Sequence, residues 1–257
     1  MQALPDLAFS PALPGFYHRV LPLNDSSFSS RLQLVEERIA RAVERSGHPR
    51  PDITLVAVSK KFSADHIRQA YLAGIRNFGE NYVQEFAEKS QQLTDLAAAQ
   101  FHFIGHLQSN KARQAAQLFQ VIQTADSIRL IQRLEDATEE RKAHLEILLE
   151  IKVSPEQSKT GAKPEEIPAL LAAAARCTHL RVSGLMTMPP WSNNPEESRP
   201  YFQKLAALAR KYELPKLSMG MSNDLEVAIE EGATIIRVGT ALFGPRPKPE
   251  GSTVRLD

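Results

Sequence analysis

The sequence predicts an α/β chain folded as a single-domain (β/α)8 TIM barrel with a short N-terminal extension. Three observations lead there. From residue 30 onward, short apolar runs alternate with amphipathic helical patterns. Such alternation implies right-handed βαβ units and a parallel sheet. Eight strand candidates then fall within roughly 220 residues, which suits a closed barrel better than an open doubly wound sheet.

The elements follow in order. A first helix reads over Ser30–Ser46, where apolar residues return at helical spacing. The strand TLVAVS at 54–59 precedes a helix that opens at Ser63, a plausible N-cap, and stops at Gly74. IRNFGE at 75–80 leads into a helix over 81–96. FHFIG at 101–105 is followed by a helix from Ser109, and VIQTAD at 121–126 by one from Ser127. LEILLEIKV at 145–153 precedes a helix from Pro164, where proline suits the first turn. LRVSGLMTM at 180–188 precedes a long helix over 195–212. KLSMGMS at 216–222 leads to a helix from Asn223, and TIIRVGT at 234–240 closes the series.

Composition narrows the class of function. With 257 residues, 42% of them hydrophobic, the chain can bury a full core as one domain. A net charge of +1 gives no electrostatic basis for binding nucleic acid or an anionic membrane. One cysteine, Cys177, leaves no internal disulfide and fits a reducing compartment. No apolar run approaches the roughly 18 residues of a membrane span. A soluble, cytoplasmic protein is the expectation. Residues 1–29 differ from the rest: they carry four prolines, lack helical periodicity, and resemble neither a signal peptide nor an Arg-rich transit segment. The division expected is therefore an extension over 1–29, a barrel over 30–247 and a tail over 248–257.

Barrel active sites form at the C-terminal ends of the strands, and phosphate is often held after strands seven and eight. GMSND at 220–224 follows strand seven: Gly220 permits close backbone approach and Ser222 offers a hydroxyl at a helix start. RVGTALFG at 237–244 spans strand eight and its end, where Gly239 and Thr240 offer backbone N–H groups and a hydroxyl. Helix-start N–H groups favour an anion. Either segment alone also reads as ordinary capping.

Lys60 ends strand one on the same rim. If Val56 and Val58 point into the barrel, alternation puts Lys60 inside and Lys61 outside. Parity alone does not decide, because both faces of a barrel strand are apolar. Lys60 is then either a solvated strand-end lysine or an amine that reacts with an aldehyde once deprotonated. Arg237 lies in strand eight on the face of Gly239, and burial demands a partner for it: a carboxylate such as Glu80, or an acceptor on a ligand. A phosphate cup, an aldehyde-reactive lysine and an arginine facing a ring acceptor together describe a pyridoxal phosphate site.

These segments also carry a resemblance. AVSK at 57–60, FGENYVQE at 78–85, HFIGHLQSNK at 102–111, SKTG at 158–161, GLMTM at 184–188, GMSND at 220–224 and RVGTALFG at 237–244 appear in the order found in the pyridoxal phosphate homeostasis proteins, the proline synthase co-transcribed family. The chain resembles that family over nearly all of 30–247. The resemblance implies a barrel like the N-terminal domain of alanine racemase, carrying pyridoxal 5′-phosphate. It makes Lys60 the Schiff-base lysine, Ser222, Gly239 and Thr240 the phosphate-binding positions, Arg237 the arginine facing the pyridine nitrogen, and Asn81 and His102 pocket-side residues.

An arginine cannot accept a proton, so the ring nitrogen facing it stays unprotonated and the ring is a poorer electron sink. Lys60 is the one evident base, and the chain ends near the barrel without a racemase-type second domain. The resemblance implies a non-enzymatic protein that holds, buffers or delivers pyridoxal phosphate, with apo-enzymes as recipients, and the lack of a racemase-type second domain favours a monomer. The alternative is a racemase-like enzyme acting on an amino acid, and a Schiff-base aldolase is a more remote one. His102 and His106 lie on a strand and its end and do not form a helical metal pair, and no metal is expected. Trp191 reads as a packed loop aromatic or a lid over the rim.

Overall fold

Eight parallel strands pair in chain order, β1 to β8, and β8 pairs back onto β1, closing the barrel. The computed structural model describes residues 27–47, 49–50, 53–154 and 160–245. The strands are β1 (Thr54–Val58), β2 (Asn77–Glu80), β3 (Gln100–Phe103), β4 (Val121–Ala125), β5 (Leu145–Glu150), β6 (Leu180–Met186), β7 (Lys216–Ser218) and β8 (Ile235–Val238). The helices are α1 (Phe28–Ser46), α2 (Ala64–Leu72), α3 (Val83–Ser90), α4 (Ala112–Leu118), α5 (Ile128–Glu140), α6 (Ile167–Ala174), α7 (Arg199–Lys211), α8 (Leu225–Glu230) and α9 (Thr240–Phe243). The TIM barrel read from the sequence is the fold observed.

Alternation along the strands sorts their side chains into two layers. Val56, Val121, Leu148, Met186 and Ile235 form one small apolar cluster. Their neighbours Leu55, Ala57, Ile122, Leu149, Leu185 and Ile236 belong to the large cluster between sheet and helices. The small cluster is thus the barrel lumen. The same parity places His102, Gln123, Glu150, Ser218 and Arg237 inside the barrel.

The helix after β8, α9, has only four residues and cannot cover its share of the sheet. Instead α1 lies against α8 and α9 and fills the eighth place in the outer ring. Phe28 packs on Phe243 with ring centroids 5.3 Å apart, and Phe243 stacks on Phe62 at 4.9 Å. Arg31 Nε donates to Leu242 O at 2.6 Å, and Arg38 forms a two-pronged pair with Glu226. This docking explains why α1 begins two residues before the expected Ser30: Ser27 Oγ caps the helix by accepting from Ser30 N, and Phe28 is buried. Residues 1–26 of the expected extension, the expected tail over 248–257, and Ser158 and Lys159 of the SKTG motif lie outside the described residues.

Two of the departures from the expected bounds bear on the site's surroundings. The helix read over 81–96 begins at Val83 and stops at Ser90. Beyond it, Leu93 N and Leu96 N bond to Ser90 O and Leu93 O in successive tight turns that carry Leu93 and Leu96 into the core. Strand seven is also shorter than the KLSMGMS run. The chain turns at Gly220, where φ is +90° and a Cβ would stand 2.5 Å from the Ala228 side chain.

Candidate functional site

The turn that carries Lys60 is built from a strand end. Past Val58, Ser59 N still bonds to Gly79 O on β2, and Phe62 N then bonds to Ser59 O at 3.0 Å, closing a four-residue turn. Lys60 and Lys61 occupy its central positions. Lys61 has φ +65°, a value a non-glycine residue adopts at a cost. Lys60 is half-buried, and its strand carries Val56 in the barrel lumen. The buried neighbour Lys89 donates to Ser59 O at 3.2 Å and Phe62 O at 3.1 Å, and pairs with Glu80 at 2.6 Å and Glu85 at 2.8 Å. Burial raises the Glu80 pKa, against the attraction of Lys89 and hydrogen bonds from Lys89 and Ser59.

Glu80 is therefore engaged by a lysine, and the carboxylate partner read for Arg237 is a different group's partner. Arg237 is buried inside β8, and among the described residues it forms no ion pair. Its Nη1 donates to Ser218 Oγ at 2.5 Å and its Nη2 to Thr187 O at 2.9 Å. Burial brings its pKa down to about 10, partly offset by the charges of Asp224 and Glu150, so it is protonated at neutral pH.

Since a guanidinium only donates, every proton beyond it has a defined direction. Ser218 Oγ accepts from Arg237 and donates to Gln123 Oε1 at 2.6 Å. Gln123 Nε2 then donates to His102 Nδ1 at 3.0 Å, leaving the imidazole proton on Nε2 for Asn77 Oδ1 at 3.0 Å. The chain crosses the lumen from β8 through β7, β4 and β3 to β2. Burial lowers the His102 pKa to about 4, so the ring is neutral, as this pattern requires. His102 is thus an interior residue, while His106, four positions on, is exposed.

The ends of β7 and β8 meet at one rim. Ala241 N bonds to Ser222 Oγ at 3.4 Å, which brings the two loops together. Gly239 precedes α9, and a Cβ there would stand 3.4 Å from Val58 Cβ, so this backbone passes close beside the end of β1. Thr240 is exposed at the opening of α9. The opening N–H groups of a helix have no intrahelical acceptor. Below this rim, Asp224 accepts from Met221 N at 2.7 Å and Ser198 Oγ at 2.8 Å, fixing the loop that carries Ser222. Of the residues read from the sequence, Ser222, Gly239 and Thr240 share this rim, Lys60 follows the neighbouring β1, and Arg237 lies beneath.

Asn81 stands apart from that group. It follows β2 and packs against the loop after β3, where a Cβ on Gly105 would be 2.3 Å from Asn81 O. It lines a cavity of about 210 Å³ with His106, Gln108 and Lys111. Its Oδ1 is buried without a hydrogen-bond partner among the described residues.

Sequence reasoning missed Ser218, Gln123 and Thr187, which hold Arg237, and Glu85 and Lys89, which hold the Lys60 turn. It also missed Glu150 in the lumen, a carboxyl that burial holds above its usual pKa and that accepts from Thr160 Oγ1 at 2.8 Å. For the lumen residues, strand parity relative to Val56 and Ile235 is the signal that finds them.

A family model described as alanine racemase, N-terminal domain, matches residues 31–247. The pyridoxal phosphate homeostasis protein of Aquifex aeolicus (strain VF5) is 42% identical over 222 residues, covering 84% of this chain and 97% of that protein. The chain belongs to the pyridoxal phosphate homeostasis protein family. The family member of Escherichia coli (strain K12) is 39% identical over 231 residues, covering 87% of this chain and 98% of its own. Among solved structures, PipY of Synechococcus elongatus PCC7942, described with PLP bound, is 36% identical with a TM-score of 0.75, over 85% of this chain and 100% of that one. Alanine racemase of Clostridium difficile 630, at 12% identity, has a TM-score of 0.66 over 85% of this chain and 58% of that one. The last likeness concerns the fold alone. Among the described residues, no helix is long and apolar enough to cross a membrane.

Proposed function

We propose that this barrel, residues 30–247, binds pyridoxal 5′-phosphate on Lys60 and that the protein buffers the cofactor or delivers it to apo-enzymes, as a cytoplasmic monomer. The observation that carries the reading is the arrangement around one rim. A lysine follows β1, backbone donors and two hydroxyls gather at the ends of β7 and β8, and underneath lies a buried cation that has no carboxylate partner among the described residues. The names of the relatives, and the cofactor in the PipY structure, support the same ligand.

The residues present suit that group. Ser222, Gly239 and Thr240 offer hydroxyls and N–H groups for a phosphate dianion. Lys60 would hold the group covalently through its amine, the two N–H protons leaving with the aldehyde oxygen as water. Arg237 would offer its remaining N–H donors to the pyridine nitrogen and, as a cation that only donates, would leave that nitrogen unprotonated. When bound, the cofactor supplies an electron sink, and an unprotonated ring is a weak one. Holding the cofactor, rather than using it, fits that chemistry. Asn81 belongs to the cofactor-binding set by its motif, through the rim between β2 and β3.

Incubating the purified protein with pyridoxal phosphate should give a yellow absorbance band that borohydride abolishes and that Lys60→Ala lacks. Absence of the band in the wild-type protein would overturn the reading. The match of residues 31–247 to the racemase domain favours one second reading, an amino-acid racemase-like activity. Loaded protein incubated with a panel of amino acids should produce no racemisation above free cofactor. Clear turnover would replace the first reading with the second.

A further inference from the structure

The two peptide groups that flank the Lys60 Cα are both held by one small polar cluster. The peptide before it contains Ser59 O, which accepts from Lys89 Nζ at 3.2 Å. The peptide after it contains Lys61 N, which donates to Glu85 Oε1 at 2.6 Å. These two planes define φ and ψ of Lys60, and hence the direction in which its side chain leaves the backbone. The cluster is cross-linked within itself. Lys89 Nζ bonds Glu80 Oε1 and Glu85 Oε1, Ser59 Oγ donates to the same Glu80 oxygen at 2.7 Å, and Phe62 O takes a further bond from Lys89. Lys89 is 7% exposed and Glu80 wholly buried, so the Glu80–Lys89 side of the clamp is shielded from water, while Glu85 reaches the surface.

The turn it holds is one the local sequence does not favour. The third position of a four-residue turn with positive φ is ordinarily glycine or asparagine, yet here it is Lys61 at +65°. A conformation of this kind persists where its surroundings over-determine it. We propose that Glu80, Glu85 and Lys89 are positioning residues for Lys60: they hold the 59–62 turn so that the amine is presented to the carbonyl of an arriving aldehyde. This rests on the reading that Lys60 bonds pyridoxal phosphate. It gives the acidic residues of the FGENYVQE segment a task distinct from cofactor contact.

The experiment compares apo-protein of the wild type, Glu85→Ala, the charge-neutral pair Glu80→Gln/Lys89→Met, and that pair with Lys61→Gly. Each is mixed with pyridoxal phosphate, quenched with borohydride at timed intervals, and the adduct measured by mass spectrometry. Attachment should slow at least threefold in Glu85→Ala and at least tenfold in the pair. Lys61→Gly should restore part of the rate, because glycine accepts the turn without the clamp. Pyridoxine 5′-phosphate, which carries an alcohol in place of the aldehyde, should bind all four with the same affinity. Attachment at the wild-type rate in Glu85→Ala and in the pair overturns the proposal, as does an equal loss of pyridoxine phosphate binding. Should the pair fail to fold, Glu85→Ala decides alone, since that side chain is partly exposed. A wild-type protein that forms no adduct overturns the cofactor reading, and the clamp's role with it.

Discussion

Arg237 donates to Ser218 Oγ at 2.5 Å, and this serine in turn donates a hydrogen bond to Gln123 Oε1. The serine is therefore a junction at which a buried cation is joined to a neutral polar chain. Ser218→Ala would strip a donor from Gln123 Oε1 and an acceptor from Arg237 inside a closed lumen. Unsatisfied buried groups of this kind cost about 1–3 kcal/mol. Urea unfolding of the protein without cofactor should show a loss of that size. Thr187 contributes through its backbone oxygen, so Thr187→Val should lose only the Thr187 Oγ1 bond to Ile151 O and cost less.

A pH experiment tests the other end of the chain. The His102 pKa lies at about 4 in the folded protein, below its usual 6.5, because burial penalises the charged ring. Between those values the unfolded chain binds a proton that the folded chain does not. The histidine's contribution is intact above about pH 6.5 and is lost as pH falls toward 4, at about 1.4 kcal/mol per unit. Glu80 and Glu150 act with the opposite sign, since burial raises both and the folded protein then takes up their protons before the unfolded chain does as pH falls. The wild type alone would blur the two. His102→Gln keeps an acceptor for Gln123 and a donor for Asn77 without titrating. The stability difference between wild type and variant should shift against the wild type by about 3 kcal/mol from pH 7 to pH 4. A flat difference would show that His102 titrates normally.

The Glu80–Lys89 pair yields an asymmetry. Lys89→Met alone leaves a wholly buried carboxyl group whose Oε1 keeps, among the described residues, only the bond from Ser59 Oγ. Breaking a buried pair by removing one partner costs about 3–5 kcal/mol, whereas replacing both charges is far milder. Thermal or urea unfolding of Lys89→Met and of Glu80→Gln/Lys89→Met should therefore order the single variant below the double one.

That pair also marks where sequence reasoning stops. The strands were legible because barrel strands are apolar on both faces and appear as short runs bounded by turns, as TLVAVS does. Lys60 and Arg237 stood out because a charged residue at the edge of such a run needs a reason. Glu85 and Lys89 carried no such signal. At i, i+4 on an amphipathic helix they read as an ordinary exposed pair, and only the tertiary fold shows that the lysine turns inward. The early end of α3 was hidden for a related cause: no glycine or proline follows Ser90 before Leu96, and the chain leaves the helix to bury two leucines. The use of α1 as the eighth outer helix depends on contacts some two hundred residues apart, such as Arg31 with Leu242, which no local pattern encodes.

The rim at the ends of β7 and β8 gives the last prediction, which separates phosphate recognition from covalent attachment. Thr240 is exposed at the start of α9, one residue after the Gly239 backbone that passes beside Val58, and Ser222 is tied to the same rim by the Ala241 amide. Thr240→Val preserves the shape of the side chain and removes only its hydroxyl. A hydrogen bond to a charged group contributes about 1.5–3 kcal/mol, so losing one should weaken binding of pyridoxal phosphate roughly 10-fold or more. Pyridoxal, which has the aldehyde and ring but no phosphate, should bind the variant and the wild type alike, because Lys60 and Arg237 are untouched. The substitution lies on the surface and should leave unfolding within about 0.5 kcal/mol. Titration of both compounds by absorbance checks this directly. Equal weakening for both would mean that the hydroxyl serves the turn rather than the phosphate, and no weakening for either would place the phosphate elsewhere on the rim.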